Sequence, residues 1–127
     1  MTTLIVTAAV VERDDRFLVT RRMKGTHLAG TWEFPGGKCE ADESLEDGLQ
    51  RELREELGVA SEVGAEVFAV THEYEDRRVE LHFFACILHG EPTPVLGQEM
   101  QWVERTRLRD LQFPPADEDL IARLSQP

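Results

Sequence analysis

The sequence predicts an α/β domain with a mixed β-sheet. Runs rich in valine, isoleucine and aromatic residues, which favour strands, stand on both sides of a central segment in which leucine recurs at every fourth position. A shorter apolar helical pattern closes the chain. At 127 residues the chain has the size of one domain with its own core, so we expect a single domain over residues 1–127.

The expected strands are short apolar runs separated by polar or glycine-containing turns. They cover residues 3–12, 17–20, 32–34, 62–75, 79–88 and 100–103. Residues 23–31 and 89–98 are expected to be loops, because glycine and proline are frequent there. The charged segment 75–78 is expected to be the turn of a hairpin.

The central helix is expected to begin after Ser44 and to end at Gly58. Ser44 with Asp47 three places on resembles a capping box, in which Asp stands in for Glu. Glycine at position 58 is typical of the residue that ends a helix. One apolar face results, formed by the leucines at positions 45, 49, 53 and 57.

Three glutamates, Glu52, Glu55 and Glu56, project to the side of this helix away from the leucines. Like charges at this spacing destabilise a helix by roughly 0.2–0.5 kcal/mol per pair. Divalent cations would neutralise them, and hard oxygen ligands suit Mg²⁺ or Mn²⁺. The alternative is a solvated acidic face with Arg51 and Arg54 as the partners.

The composition limits the kinds of partner. A net charge of −11 argues against a nucleic-acid polymer, because binding a phosphate backbone takes a basic stripe. No apolar run approaches the ~20 residues of a membrane span, and no signal-peptide pattern opens the chain. Two cysteines are too few for a disulfide scaffold, so the cytoplasm is the expected compartment. We expect a small-molecule partner and a monomer or small homo-oligomer.

A longer pattern joins the central helix to the glycine pair before it. Gly37 is followed after five residues by Glu43, and after seven more by the run R-E-L-R-E-E-L-G-V over residues 51–59. This spacing resembles the complete Nudix box. Residues 32–38 (W-E-F-P-G-G-K) and 113–117 (F-P-P-A-D) are similar to the MutT-type branch of the Nudix hydrolases. The resemblance implies the Nudix fold, in which a mixed sheet is sandwiched between α-helices.

The resemblance also implies a metal-dependent hydrolase that uses Mg²⁺, or Mn²⁺ in its place. Metal ions in such a site offset phosphate charge and lower the pKa of bound water, while a carboxylate takes the proton. Glu52 is the implied base, Arg51 the residue that orients a carboxylate, and Glu43 a support of the site. The implied metal ligands are the carbonyl of Gly36 and the carboxylates of Glu52, Glu55 and Glu56.

Four further residues are implied in substrate binding. In MutT-type relatives the residue that matches Arg22 lies by the base, and Lys38 follows the glycine pair, where it would meet phosphate oxygens. Phe34 belongs to the same motif, and Asp117 matches a base-contacting position. Each charged residue has an ordinary alternative, which is surface charge for the arginine and lysine and helix capping for Asp117.

The MutT-type context favours a nucleoside triphosphate that is cleaved to the monophosphate and pyrophosphate. An oxidised purine such as 8-oxo-dGTP is the first choice, and its removal would sanitise the nucleotide pool. Relatives with this preference often carry Asn at the position of Asp117, whereas relatives that act on cytidine triphosphates often carry Asp, so (d)CTP is a close alternative. Another nucleoside diphosphate-linked substrate and a non-catalytic Nudix-fold binding module are the remaining alternatives.

The loop before the last strand departs from the family pattern. Many relatives place a metal-binding Glu six residues before a Trp like Trp102, and that position is Leu96 here. Glu99 is nearby but in a different register. Whether it replaces the missing ligand is left open by the sequence.

Overall fold

The structure, a computed structural model, describes residues 2–127. This part of the chain forms five strands, a helix, three further strands and a second helix, with two short 3₁₀ segments, Arg105–Asp110 and Pro115–Asp117, before the second helix. The strands are β1 (Thr2–Val10), β2 (Glu12–Arg13), β3 (Arg16–Arg21), β4 (Trp32–Glu33), β5 (Gly36–Lys38), β6 (Ala60–Glu73), β7 (Arg77–His89) and β8 (Met100–Glu104), and the helices are α1 (Leu45–Leu57) and α2 (Glu118–Leu124).

The larger sheet is mixed, as the sequence predicts. Its strand order is β5-β1-β7-β6, and β1 runs parallel to β7 while the other neighbours are antiparallel. A second, antiparallel sheet has the order β2-β3-β4, with β8 also paired to β3. The sequence pattern predicts one mixed sheet and does not show which strands belong to the second.

Helix α1 has the ends that the sequence predicts. The hydroxyl of Ser44 accepts a hydrogen bond from the amide of Asp47 at 3.0 Å, and Gly58 has the left-handed φ of 64° that closes the helix. Its apolar face is buried, because Leu49, Leu53 and Leu57 have no solvent exposure. The helix is thereby fixed against the larger sheet, with its glutamates turned toward the glycine pair.

The apolar core has two parts. One contains the α1 leucines together with residues of β1 and β7 such as Ala9 and Phe84. The other contains the preceding residues of the same strands, Ala8 and Phe83, together with residues of α2. Since successive side chains of a strand point to opposite faces, the sheet is covered by helices on both faces. This arrangement confirms the predicted α/β sandwich.

The differences from the predicted elements are local. Strand β5 consists of Gly36–Lys38, which has no apolar pattern and is not among the predicted strands. The hairpin turn covers residues 74–76 and not 75–78, because β6 ends at Glu73 and β7 begins at Arg77. Within residues 2–127, no helix has both the length and the apolar character needed to cross a membrane.

Candidate active site

The glycine pair lets the backbone approach the acidic helix closely. A Cβ atom at Gly37 would lie 2.4 Å from Oε2 of Glu52, and one at Gly36 would lie 2.0 Å from the carbonyl oxygen of Thr7 on β1. Any larger residue would therefore push the loop away from Glu52 or from the sheet. At both positions the nearest atoms belong to the protein itself.

Arg51 holds three of the carboxylates together. Its guanidinium donates to Glu43 at 2.6 and 3.1 Å, to Glu52 at 3.0 Å and to Glu55 at 3.1 Å. It also donates to the carbonyl of Lys38 at 3.0 Å. The hydrogen bond from Arg51 lowers the pKa of Glu43 to about 2, so Glu43 is ionised at neutral pH. The predicted catalytic residues Glu43, Arg51 and Glu52 thus lie in one hydrogen-bonded group.

Glu56 is more deeply buried than the other carboxylates of the helix, and Arg51 does not donate to it. Its Oε2 accepts a hydrogen bond from the amide of Gly36 at 3.3 Å. Burial, together with the smaller effects of the carboxylates of Glu33 and Glu52, raises the pKa of Glu56 to about 8. Burial also raises the pKa of Glu52, against the opposing effect of Arg51. Negative charge at this end of α1 exceeds the charge that Arg51 supplies.

The donor set suits a hard divalent cation. The predicted ligands Gly36, Glu52, Glu55 and Glu56 offer only oxygen atoms. Burial raises the pKa values of Glu52 and Glu56, and a bound cation would favour their ionised forms. Among residues 2–127, no three acidic, histidine or cysteine side chains already converge as a cation site. A bound cation would therefore draw these carboxylates together.

A cleft of about 160 Å³ leads away from the glycine pair. Gly36 and Gly37, which lie beside Glu56 and Glu52, form the acidic end of this cleft. Phe34 and Asp117 also line the cleft. Phe34 stacks on Phe113, with 5.6 Å between the ring centroids, so the Phe34 ring has packing support behind it.

Arg22 reaches this cleft as part of an ion pair. Its Nη1 donates to Glu33 at 2.7 Å, and its Nε donates to the carbonyl of His27. Burial raises the pKa of Glu33, while Arg22 opposes the shift. The arginine is held inside the site and is not a free surface charge.

Asp117 is buried, with 4% of its surface exposed. It stands at the N-terminus of α2, yet its side chain makes no capping hydrogen bond, so the alternative role of helix cap is not seen. Burial raises the pKa of Asp117 to about 7, and the carboxylate of Glu33 adds to the rise. The group lines the cleft with both protonation states accessible near neutral pH.

Lys38 is placed differently from the other predicted substrate residues. It is exposed at the end of β5, and it is absent from the residues that line the cleft. Its carbonyl, which accepts from Arg51, is its contact with the acidic group. Contact between its ammonium group and a phosphate remains a prediction.

Sequence reasoning passed over three residues that line the cleft, Glu33, His27 and Tyr74. The ring of His27 lies edge-on to Tyr74, with 4.8 Å between the ring centroids. The pair brings the loop before β4 against the tip of the β6–β7 hairpin. No sequence pattern links His27 to Tyr74. Glu33 could have been chosen from the sequence, because it is the acidic residue of the W-E-F-P motif.

Glu99 lies apart from the acidic group. Its carboxylate pairs with Arg21 at 3.1 Å, on the exposed side of β3. Leu96, in contrast, lines a small second cavity beside Glu33 and Glu56. The geometry gives no support to Glu99 as a substitute for the ligand missing at Leu96.

Comparison with known proteins agrees with this geometry. The family described as "NUDIX domain" matches residues 6–123. The 8-oxo-dGTP diphosphatase of Escherichia coli (strain K12) is 33% identical over 123 residues, which cover 96% of this chain and 95% of that protein. The CTP pyrophosphohydrolase of the same strain is 38% identical over 117 residues, which cover 91% of this chain and 87% of that protein.

Solved structures give the same relationship. The solution structure of the E. coli ORF135 protein superposes with a TM-score of 0.84 at 36% identity, covering 96% of this chain and 88% of that one. MutT from methicillin-resistant Staphylococcus aureus 252 superposes with a TM-score of 0.80 at 33% identity, covering 98% of each chain. Taken with the acidic helix and the glycine pair, these matches show that the chain belongs to the MutT-type branch of the Nudix hydrolase family.

Proposed function

We propose that this chain hydrolyses nucleoside triphosphates to the monophosphate and pyrophosphate with the help of a divalent cation. The observation that carries the proposal is a cleft whose lining includes Gly36 and Gly37, beside the carboxylates, together with Phe34 and Asp117. A nucleotide has the same polarity, with charged phosphates at one end and a flat base at the other. The net charge of −11 favours a free nucleotide over a nucleic-acid polymer.

Mg²⁺, or Mn²⁺ in its place, would be held by the carboxylates of Glu52, Glu55 and Glu56 and the carbonyl of Gly36. When bound, the cation offsets phosphate charge and polarises the phosphorus–oxygen bonds. Its arrival also compensates the carboxylates that Arg51 leaves without a counter-charge.

The side chains then divide the reaction among them. Glu52 takes a proton from the attacking water, whose oxygen forms a new bond to the α- or the β-phosphorus. The bond from that phosphorus to the oxygen that bridges the α and β groups breaks, and its electron pair stays on the bridging oxygen of the departing phosphate group. Arg51 keeps Glu52 in place through the hydrogen bond at 3.0 Å, and the ionised Glu43 keeps Arg51 in place. Lys38 contributes positive charge toward the departing phosphate oxygens.

For the base we favour 8-oxo-dGTP. The oxidised purine presents an N–H donor beside a carbonyl acceptor, and a protonated carboxyl such as Asp117 near its pKa of about 7 can accept from the first and donate to the second. Phe34, which Phe113 supports by stacking, supplies the wall against which the ring would lie. Two relatives named as 8-oxo-dGTP diphosphatases cover this chain at 33% and 38% identity.

The second candidate is a cytidine triphosphate. The relative named CTP pyrophosphohydrolase is 38% identical to this chain, and the cytosine edge also offers a donor beside an acceptor. The hydrogen-bonding groups of Asp117 therefore fit either base. Ring size against the Phe34 wall would then decide between them.

A nucleotide panel tests both levels of the proposal. Pyrophosphate release from 8-oxo-dGTP, dGTP, dCTP and CTP is measured with Mg²⁺, after excess chelator, and after Mg²⁺ is restored. We expect turnover to vanish with chelator, to return with Mg²⁺, and to be fastest with 8-oxo-dGTP. Fastest turnover of CTP would replace the base assignment, and folded protein that releases no pyrophosphate from any nucleotide would overturn the hydrolase proposal.

A further inference from the structure

The loop between β7 and β8 closes the carboxyl end of α1. The amide of Thr93 donates to the carbonyl of Leu57 at 2.9 Å, and the amide of Val95 donates to the carbonyl of Glu56 at 3.1 Å. The side-chain amide of Gln98 donates to that same carbonyl of Glu56 at 3.0 Å. The last carbonyls of a helix have no hydrogen-bond donor within the helix, and here the loop supplies the donors.

Gln98 is the buried member of this contact. Only 8% of its surface is exposed, and both ends of its side-chain amide are engaged. Its Oε1 accepts from the amide of Leu96 at 2.9 Å, while its Nε2 donates to Glu56. Gln98 thus links Leu96 in the loop to the backbone of Glu56 on α1.

The Glu56 carboxylate depends on this backbone for its position. Within residues 2–127, the hydrogen bond described for the carboxylate itself is the one from the Gly36 amide at 3.3 Å, which is long. Gln98 and Glu56 both line the small second cavity, so the anchoring contact lies beside the acidic end of the cleft. Fraying of the last helical turn would move Glu56 before it moved any base-binding residue.

We infer that Gln98 is a positioning residue that fixes the last turn of α1, and with it Glu56, for cation binding. This inference rests on the proposed function, because it takes Glu56 as a cation ligand. Replacing a residue that orients a metal ligand through a hydrogen bond typically lowers metal affinity or activity by about 10–100-fold. In this chain the loop contributes a hydrogen bond through Gln98 where many relatives contribute a carboxylate at position 96.

The test compares two glutamines that both tie α1 to another segment. Gln98→Met keeps the length of the side chain and removes both hydrogen bonds. Gln50→Met is the matched control, because Gln50 on the same helix donates to the carbonyl of Ser61 at 3.2 Å, away from the acidic face. For each protein we would measure the Mn²⁺ dissociation constant, the thermal midpoint, and kcat and KM for the preferred nucleotide.

We expect Gln98→Met to weaken Mn²⁺ binding and to lower kcat by about 10–100-fold, with KM within about threefold of the wild-type value. Gln50→Met should lower the thermal midpoint by a similar amount and leave Mn²⁺ affinity and kcat unchanged. Equal Mn²⁺ affinity in wild type and Gln98→Met, or equal losses in both variants, would overturn the inference. A wild-type protein that binds no Mn²⁺ would instead overturn the proposed function.

If Gln98→Met does not fold, the wild-type protein supplies the test. The side-chain amide protons of Gln98 should exchange with solvent much more slowly than those of Gln101, which is exposed on β8. Mg²⁺ should shift the Gln98 side-chain resonances and leave those of Gln101 in place. Equally fast exchange at the two glutamines, or a Gln98 signal that ignores Mg²⁺, would contradict the positioning role.

Discussion

The two ends of the cleft are built in different ways. The acidic end comes from Gly36 through Glu56, and its side chains form a dense hydrogen-bonded group around Arg51. The base end combines residues from distant parts of the chain, among them Arg22, Phe34 and Asp117. It has aromatic walls and one buried carboxyl with no hydrogen bond to the helix that it precedes.

Under the proposed function, the acidic end would carry out the hydrolysis and the other end would select the base. Charge and hydrogen bonds at the acidic end fix a constellation that serves any nucleotide. At the base end, single side chains against an apolar wall can change without disturbing the acidic group. Variants at the two ends should therefore fail in different ways, one in turnover and the other in choice of substrate.

The largest effect is expected for Glu52→Gln. Gln keeps the shape of the side chain but loses the basic oxygen and the negative charge, and loss of a general base typically costs on the order of 10²–10⁴ in rate. We expect kcat to fall by this factor for every nucleotide, with an unchanged circular dichroism spectrum. Glu46→Gln, at an exposed position in the first turn of the same helix, is the control and should turn over normally. A Glu52→Gln variant within threefold of wild type would move the base elsewhere.

Changes at Asp117 should alter the choice of nucleotide by about tenfold, because its protonated carboxyl would make two hydrogen bonds to the base, each worth roughly 0.5–1.5 kcal/mol. Asp117→Ala should lower kcat/KM for the preferred nucleotide much more than for poor ones. Asp117→Asn keeps a donor and an acceptor, so it should retain use of 8-oxo-dGTP. The kcat/KM ratios of 8-oxo-dGTP and CTP across the three proteins decide the matter, and unchanged ratios would remove Asp117 from base recognition.

The pH dependence of base binding should follow Asp117. Its raised pKa of about 7 means that the carboxyl is protonated below this pH and ionised above it. Loss of the donor should weaken binding of 8-oxo-dGMP by about three- to tenfold as the pH rises through 7, which is the worth of about one hydrogen bond. Calorimetric titration without metal isolates this end of the cleft. Asp117→Asn should remove the pH-dependent step, and an identical profile in both proteins would assign the step to another group.

The smallest effect is expected for Glu99→Gln. Glu99 forms an exposed ion pair with Arg21, and such pairs contribute about 0–1 kcal/mol to stability. Mg²⁺ dependence and kcat should stay within about twofold of wild type. A tenfold rise in the Mg²⁺ concentration needed for half-maximal activity would place Glu99 among the cation ligands after all.

The sequence predicted the acidic end well because its signals are local. Leucine spacing, a capping serine and a terminal glycine specify α1 almost to the residue, and the helical period alone puts Glu52, Glu55 and Glu56 on one side. The role of Arg51 as a common partner also follows from this short range, since Glu52 and Glu55 lie one and four residues away. Tertiary packing only had to place this face against the glycine pair.

The base end was predicted only through family resemblance. His27 and Tyr74 meet because a loop and a hairpin tip fold over the same sheet, and neither segment has a periodic pattern that reveals it. Gln98 was passed over for the same reason, because its hydrogen bonds depend on how a proline- and glycine-containing loop returns to α1. Strand β5 was missed because glycines carry no apolar signal, although backbone pairing with β1 needs none.

The parallel pairing of β1 with β7 has a consequence for the order of folding. Thr2 pairs with Arg77, so β1 gains this neighbour only after the segment that contains β7 has been synthesised. Closing a loop of this length costs about 4 kcal/mol of chain entropy beyond a constant term, and contacts so far apart in sequence slow folding. During synthesis α1 and its carboxylates emerge before β7 does. The nascent chain therefore exposes an amphipathic, acidic helix whose apolar face has no complete sheet to cover it.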